Sequence, residues 1–175
     1  VCTPKSAGAL GLPILRWMNV AMQARWSWLK RADKTRPWSE FKIKVAEEAT
    51  MLCNAAMRFT AHSGRATFFW EDRWLDGRRV QEIAPRVYEL IAPRTRGRRL
   101  VCEAMENGSW AGDLGPNLGP DTLHEFFALW QAVSAWEANE DLPDEITWSW
   151  EAKGHFSVRS AYAAAFGGRE VMPTA

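Results

Sequence analysis

The chain has 175 residues, 47% of them apolar and 25% charged, an ordinary globular composition that excludes a disordered or fibrous protein. No run of eighteen apolar residues occurs, which argues against a membrane-spanning helix. A net charge of +1 hides a large asymmetry, with 19 Lys and Arg against 9 Asp and Glu in residues 1–100 and ten acids without a single Lys or Arg in residues 101–145. Such a split points to a polyanionic partner for the basic portion, or to pairing of the two portions with each other.

From Pro13, a residue suited to a first helical turn, Leu15, Met18, Met22, Trp26 and Leu29 recur at helical spacing. A second stripe of Trp17, Ala21, Ala24 and Trp28 lies beside it, so this helix is expected to have neighbours on two sides. A second helix is expected from Glu40 to Phe59, carrying Val45, Ala49, Leu52, Ala56 and Phe59 and stopped at His62-Ser63-Gly64. Ala66-Thr67-Phe68-Phe69-Trp70 is β-branched and aromatic, the pattern of a short buried strand ending before the Asp76-Gly77 turn. Pro85 and Pro93 bracket a short helix, Arg94 to Arg99 form a basic loop, and Leu100 to Glu106 form a brief helix closed by Asn107-Gly108.

Residues 111–120 hold three Gly and two Pro, a composition expected of a linker between a basic portion (1–110) and a second portion (121–175). Pro120-Asp121 opens an acidic helix with Leu123, Phe126, Phe127, Trp130, Val133 and Trp136 on one face. Ile146, Trp148 and Trp150 alternate with polar residues, Lys153-Gly154 turns, and Phe156 and Val158 alternate back, the pattern of a β-hairpin. Ser157 or Ser160 caps a last helix through Tyr162 and Phe166, stopped at Gly167-Gly168. The expected fold class is therefore α+β, mainly helical, with a short central strand and a C-terminal hairpin followed by a helix.

Chemistry-bearing patterns are sparse. Cys2, Cys53 and Cys102 are odd in number and far apart, which argues for a reducing compartment and against a disulfide framework. His62, His124 and His155 lie more than thirty residues apart and show no ligand spacing, so neither a metal site nor a cofactor is expected. Pro143-Asp144 followed by Glu151-Ala152-Lys153 fits a loose metal-dependent nuclease signature, in which two carboxylates hold the cation and the Lys steadies a water. Glu151 and Lys153 fall at the expected hairpin turn, however, where their side chains face solvent. Glu71, Asp72 and Asp76 could hold Mg²⁺, but Arg65, Arg73, Arg78 and Arg79 nearby favour ion pairs. The basic residues best placed to meet phosphates are Arg94, Arg96, Arg98 and Arg99, with Arg25, Lys30 and Arg31 at the end of the first helix. The alternative use of the four-arginine cluster is internal pairing with the acidic helix around Glu125 and Glu137.

A run of local strings resembles the segment after the polymerase core of plant non-LTR (LINE-type) retrotransposon reverse transcriptases. It begins Val1-Cys2-x-Pro4-Lys5, Gly8-Ala9-Leu10-Gly11, Asn19, Arg25-Trp26-Ser27-Trp28-Leu29 and Arg36-Pro37-Trp38. It continues Gly64-x-x-Thr67-x-Phe69-Trp70-x-Asp72-x-Trp74-Leu75-x-Gly77, Ala84-Pro85, Asn107-x-x-Trp110-x-x-Asp113 and Leu129-Trp130. It ends Trp148-x-Trp150-x-x-x-Gly154-x-Phe156-Ser157-x-x-Ser160-Ala161-Tyr162. Ala9 departs from the family, which usually has a second Gly there. The resemblance implies a connector between the polymerase thumb and a zinc-binding region whose Cys/His cluster follows the Ser160-Ala161-Tyr162 helix, so that residues 121–175 would hold the acidic helix and then the first hairpin and helix of that region. The polymerase carboxylates and the endonuclease of such proteins lie upstream, so the chain is expected to be no enzyme itself. Its expected partners are the upstream polymerase domain and RNA or DNA, not a membrane, in the cytoplasm or nucleus. The opening Val1-Cys2-Thr3-Pro4, with no initiator Met or signal core, is expected of a piece cut from a longer protein. The rival expectations are a nuclease using Asp144, Glu151 and Lys153, or a decayed retrotransposon copy without function.

Overall fold

The structure, a computed structural model, describes residues 14–33, 35–37, 41, 43–115 and 119–167. The expectations resting on Val1 to Gly11, Pro13, Trp38, Glu40 and Gly168 lie outside them. Eight helices and two strands are described: α1 (Leu15–Ala32), α2 (Glu47–Ala56), β1 (Met57–Thr60), α3 (Val80–Ile83), α4 (Pro85–Leu90), α5 (Pro93–Arg96), α6 (Val101–Met105), α7 (Pro120–Ser134), β2 (Glu145–Trp148) and α8 (Val158–Gly167). A 3₁₀ segment runs Glu106–Asp113. The fold is mainly helical α+β, with β1 and β2 in one antiparallel two-stranded sheet. Among the described residues no helix is long and apolar enough to cross a membrane.

Two compact units divide the chain, one of residues up to Met57 together with those from Thr147 onward, the other Arg58–Ile146. This division differs from the expected one: residues 111–115 and 119–120 lie inside the second unit, where Trp110 and Leu114 are buried and Asp113 is held by side-chain bonds. Among the described residues of this stretch, Gly112 lies in the 3₁₀ segment and Pro120 opens α7.

In the first unit α1 packs against α8 and α2. The buried stripe of α1 is Val20, Ala21, Ala24 and Trp28, and α2 presents Ala49, Cys53 and Ala56. Alanines on both helices permit close approach, close enough for the Cys53 thiol to donate to the Ala24 carbonyl at 3.4 Å. Burial pushes that thiol up to about 11. The helix α2 starts at Glu47 rather than Glu40. Glu47 and Glu48 lie in its first turn, where carboxylates complement the helix dipole, and Gln23 Oε1 accepts the Ala46 amide at 2.6 Å. It ends at Ala56 rather than Phe59, because Met57 and Phe59 turn inward with the strand's period of two.

The expected C-terminal hairpin is replaced by pairing of β2 with β1. After Trp148 the chain turns at once, closed by the Trp148 amide on the Gly154 carbonyl at 2.7 Å, and Phe156 packs from a loop on Trp148 with ring centroids 4.7 Å apart. Trp28 meets Trp148 edge-on at 5.9 Å. Ser157 caps α8, its Oγ accepting the Ser160 amide at 3.0 Å. Tyr162 on α8 accepts the Ile14 amide at 3.0 Å.

The second unit is built from short elements around Phe69, Trp70, Val80, Val87, Ile91, Val101, Trp110, Leu129 and Val133. In residues 66–70 Thr67, Phe69 and Trp70 are buried, but the segment makes only one bridge, Phe68 to Leu100. Asp72 bends the chain: its carboxylate accepts the Phe68 amide at 2.7 Å while its own amide donates to the Phe68 carbonyl at 3.1 Å. Two buried indole N–H groups find acceptors, Trp70 on Asp113 at 3.1 Å and Trp74 on the Phe69 carbonyl at 2.9 Å. The acidic helix α7 buries Val133 as expected, together with Leu129, but leaves the expected Leu123, Phe127 and Trp130 exposed.

Candidate nucleic-acid interface

The basic run after Ala92 is a compact helical turn rather than a projecting loop. Pro93 opens α5, the Ala92 carbonyl accepts the Thr95 and Arg96 amides at 2.9 and 3.0 Å, and the Thr95 carbonyl accepts those of Arg98 and Arg99 at 3.1 and 2.9 Å. Coiling the segment sends its four guanidinium groups in different directions.

Arg94 and Arg98 are exposed and line a concave site of about 340 Å³ with Thr95, Arg99 and Glu103. Among the described residues neither Arg94 nor Arg98 is paired with a carboxylate. Arg99 turns its charge inward: Nε donates to Asp113 Oδ2 at 3.0 Å and Nη2 to Asp113 Oδ1. The bond to Asp113 raises the guanidinium above its usual range, against the opposing effect of burial. Arg96 is half-buried, its guanidinium 4.5 Å from the centroid of the Tyr88 ring. Burial raises the Tyr88 phenol above its ordinary value, and its hydroxyl donates to Glu71 Oε1 at 2.9 Å. Two of the four clustered arginines therefore face solvent and two are built into the unit.

Internal pairing with the acidic helix does occur, but through Arg86, which reaches Asp121 at 2.5 Å and Glu125 at 3.9 Å. The partner of the four-arginine cluster is Asp113, on the 3₁₀ segment, which charge counting on α7 does not single out. Thr95, between the two outward arginines, carries no charge to draw notice in the sequence; the helical turn that Pro93 opens is what places it there.

Arg25 and Lys30 are exposed on α1 and Arg31 is half-buried, with Lys30 Nζ donating to the Phe41 carbonyl at 3.4 Å. These three belong to the first unit and Arg94–Arg99 to the second.

The carboxylates of the nuclease alternative have other occupations. Asp144 Oδ1 accepts the His62 and Gly64 amides at 2.9 and 2.8 Å and the Ser63 hydroxyl at 3.4 Å. Its Oδ2 accepts the Ala66 amide at 2.8 Å and the Thr67 hydroxyl at 2.9 Å. Five donors surround one carboxylate, leaving little lone-pair capacity for a cation. Burial acts to raise this carboxyl, but the donors from Ala66, Thr67, Gly64 and His62 together hold it below the usual range. Glu151 accepts the Ser157 hydroxyl and Lys153 is exposed at the turn. Glu71 is bonded to Tyr88 and Asp72 to the Phe68 amide, while Arg73 pairs with Glu82 and Arg65 with Glu140. Among the described residues no group of three His, Cys, Asp or Glu side chains is placed to share a metal ion.

Most residues that carry the family resemblance in the second unit are structural. Gly64, Thr67, Trp70, Asp72, Trp74, Trp110 and Asp113 all serve the buried core or its hydrogen bonds. No family model, curated protein or solved structure matches the chain.

Proposed function

We propose that this chain is a non-catalytic connector of a LINE-type reverse transcriptase, which packs on the polymerase thumb and contacts RNA or DNA phosphates through Arg94 and Arg98. The observation that carries the contact is the concave site in which these two exposed arginines flank Thr95, with no carboxylate paired to either. The family assignment rests on the ordered strings from Arg25-Trp26-Ser27-Trp28 to Ser160-Ala161-Tyr162. In this reading the chain carries no polymerase or nuclease chemistry, and its place is the cytoplasm or nucleus.

Two free guanidinium groups neutralise two phosphates, so removing them lowers the slope of log affinity against log salt by about 1.4 to 1.8. Fluorescence anisotropy with a labelled single-stranded RNA and a DNA duplex, across a salt series at low ionic strength, measures that slope. The Arg94→Ser/Arg98→Ser variant should lose this share of it with unchanged sequence preference. A wild-type chain that shows no salt-dependent binding overturns the contact.

A further inference from the structure

The concave site beside α5 holds one group that phosphate binding alone does not call for. Glu103, in the first turn of α6, lines it together with Arg94, Thr95, Arg98 and Arg99. Glu103 is exposed, and its negative charge repels the phosphates that Arg94 and Arg98 attract. Among the described residues it forms no ion pair with any of these arginines, and Asp113 already holds the Arg99 guanidinium. Its own hydrogen bonds fix it in place. The Glu103 carbonyl accepts the Ser109 hydroxyl, and Oε2 accepts the Leu100 amide at 3.1 Å. Among the described residues no donor reaches Oε1. One carboxylate oxygen is therefore positioned in the site and unused.

A carboxylate oxygen only accepts hydrogen bonds, so its partner on a nucleic acid is an O–H or an N–H. Two kinds are available, the ribose 2′-hydroxyl and the amino and imino groups of base edges. The 2′-hydroxyl sits on the carbon next to the one that bears the 3′-phosphate ester, so a site that grips the phosphate has this hydroxyl within the same sugar–phosphate unit. A base edge lies on the far side of the sugar. At about 340 Å³ the site is at the small end of ligand pockets, a size that suits one sugar–phosphate unit.

We propose that Glu103 makes this site selective for ribose: building on the phosphate contact of Arg94 and Arg98 proposed above, its Oε1 accepts the 2′-hydroxyl of the sugar whose phosphate they hold. The chain then prefers a single-stranded RNA to the corresponding DNA. The carboxylate selects by penalty and return, since it weakens the hold on every phosphate and only a ribose answers with a hydrogen bond.

Three labelled oligouridines of equal length, with ribose, 2′-deoxyribose and 2′-O-methylribose, test this by fluorescence anisotropy at low ionic strength. All three carry the same phosphates, and uracil has no exocyclic amino group. The ribose strand should bind about tenfold more tightly than either of the others, the share of one hydrogen bond to a charged group. The 2′-O-methyl strand should group with the deoxy strand, because it keeps the oxygen and the sugar pucker of RNA but cannot donate. Glu103→Ala should bind all three alike, and the deoxy strand no more weakly than wild type does. Melting checks the fold of that variant, which also loses the Leu100 cap; the three strands on wild type decide the matter without it. Equal binding of ribose and deoxyribose strands with the salt dependence intact overturns the selectivity and leaves the phosphate contact standing. A ribose preference that persists in folded Glu103→Ala does the same, as does an oligocytidine that outbinds oligouridine equally on both sugars, which would give Oε1 to a base amino group. No salt-dependent binding of any strand overturns the contact and the selectivity together.

Discussion

In the first unit helices meet through alanines, Ala21 and Ala24 on α1, Ala49 and Ala56 on α2 and Ala161 on α8, whereas the second unit is assembled from short helices and turns around Phe69, Trp70, Trp74 and Trp110, with carboxylates bonded to its loops. The difference is one of what supplies order. Long amphipathic helices bury a stripe and need few side-chain bonds, as α1 shows with eighteen residues and no side-chain cap. Four- to six-residue helices are not stable by themselves, and Asp72, Asp113 and Asp144 hold the segments between them in place.

The largest expected effect breaks this second kind of order. Asp144→Ala leaves the His62, Gly64 and Ala66 amides and two hydroxyls without their acceptor, and should cost about 3 kcal/mol or more in chemical denaturation. A titration tests the same site. Because the folded-state carboxyl lies below its unfolded value of about 3.8, its contribution is complete above that pH and is lost as pH falls through the folded value. Wild-type melting should therefore drop below about pH 4, and Asp144→Ala should show a smaller drop over that range. Equal acid dependence in both proteins would show that Asp144 is not the group responsible.

Gly64→Ala comes next. Gly64 has φ +70°, and a Cβ there would lie 2.6 Å from the Cys102 amide nitrogen, a backbone atom that cannot swing aside. The left-handed conformation and the close approach together should cost about 2 kcal/mol. Ala24→Leu is the counterpart in the first unit: the side chain is fully buried beside Cys53, and overpacking should cost about 1 to 3 kcal/mol. Trp fluorescence and near-UV circular dichroism during denaturation measure both. Relief of the Ala24→Leu defect by Cys53→Ala would place the strain between α1 and α2.

Legibility of the sequence follows the same contrast. The helices α1, α7 and α8, with the Ser157 cap, are carried by local periodicity and are evident from the order of residues alone. The turn of β1 away from α2 is not, because Ala56 and Phe59 suit a helix and only Met57 and Phe59 suit a strand; pairing with the distant β2 decides between them. Residues 66–70 have strand composition because Thr67, Phe69 and Trp70 are buried, while the bonds between Phe68 and Asp72 turn the chain after a single bridge. At the basic site, the concentration of arginine is plain from the sequence, but their division is not. Asp113 is 14 residues from Arg99, and Tyr88 is eight from Arg96, so no local spacing announces either partner.

That division supplies the smallest expected effect on stability and the sharpest comparison. Arg94 and Arg98 face solvent, so Arg94→Ser/Arg98→Ser should leave melting within about 0.5 kcal/mol of wild type, the usual range for exposed substitutions. Arg99→Ser strips the charge partner from Asp113, which is buried, and also changes the electrostatics of the acceptor for Trp70. It should lower stability by roughly 3 kcal/mol, the cost of leaving a buried charge uncompensated. Restoring neutrality with Asp113→Asn in the same chain should recover part of that loss, since the amide carbonyl still accepts the Trp70 N–H. For nucleic-acid binding the order reverses: the solvent-facing pair should reduce the salt slope, and Arg99→Ser measured below its melting transition should not. A variant set in which all four arginines act alike on the slope would mean that the Asp113 pair opens on binding and that the cluster works as one surface.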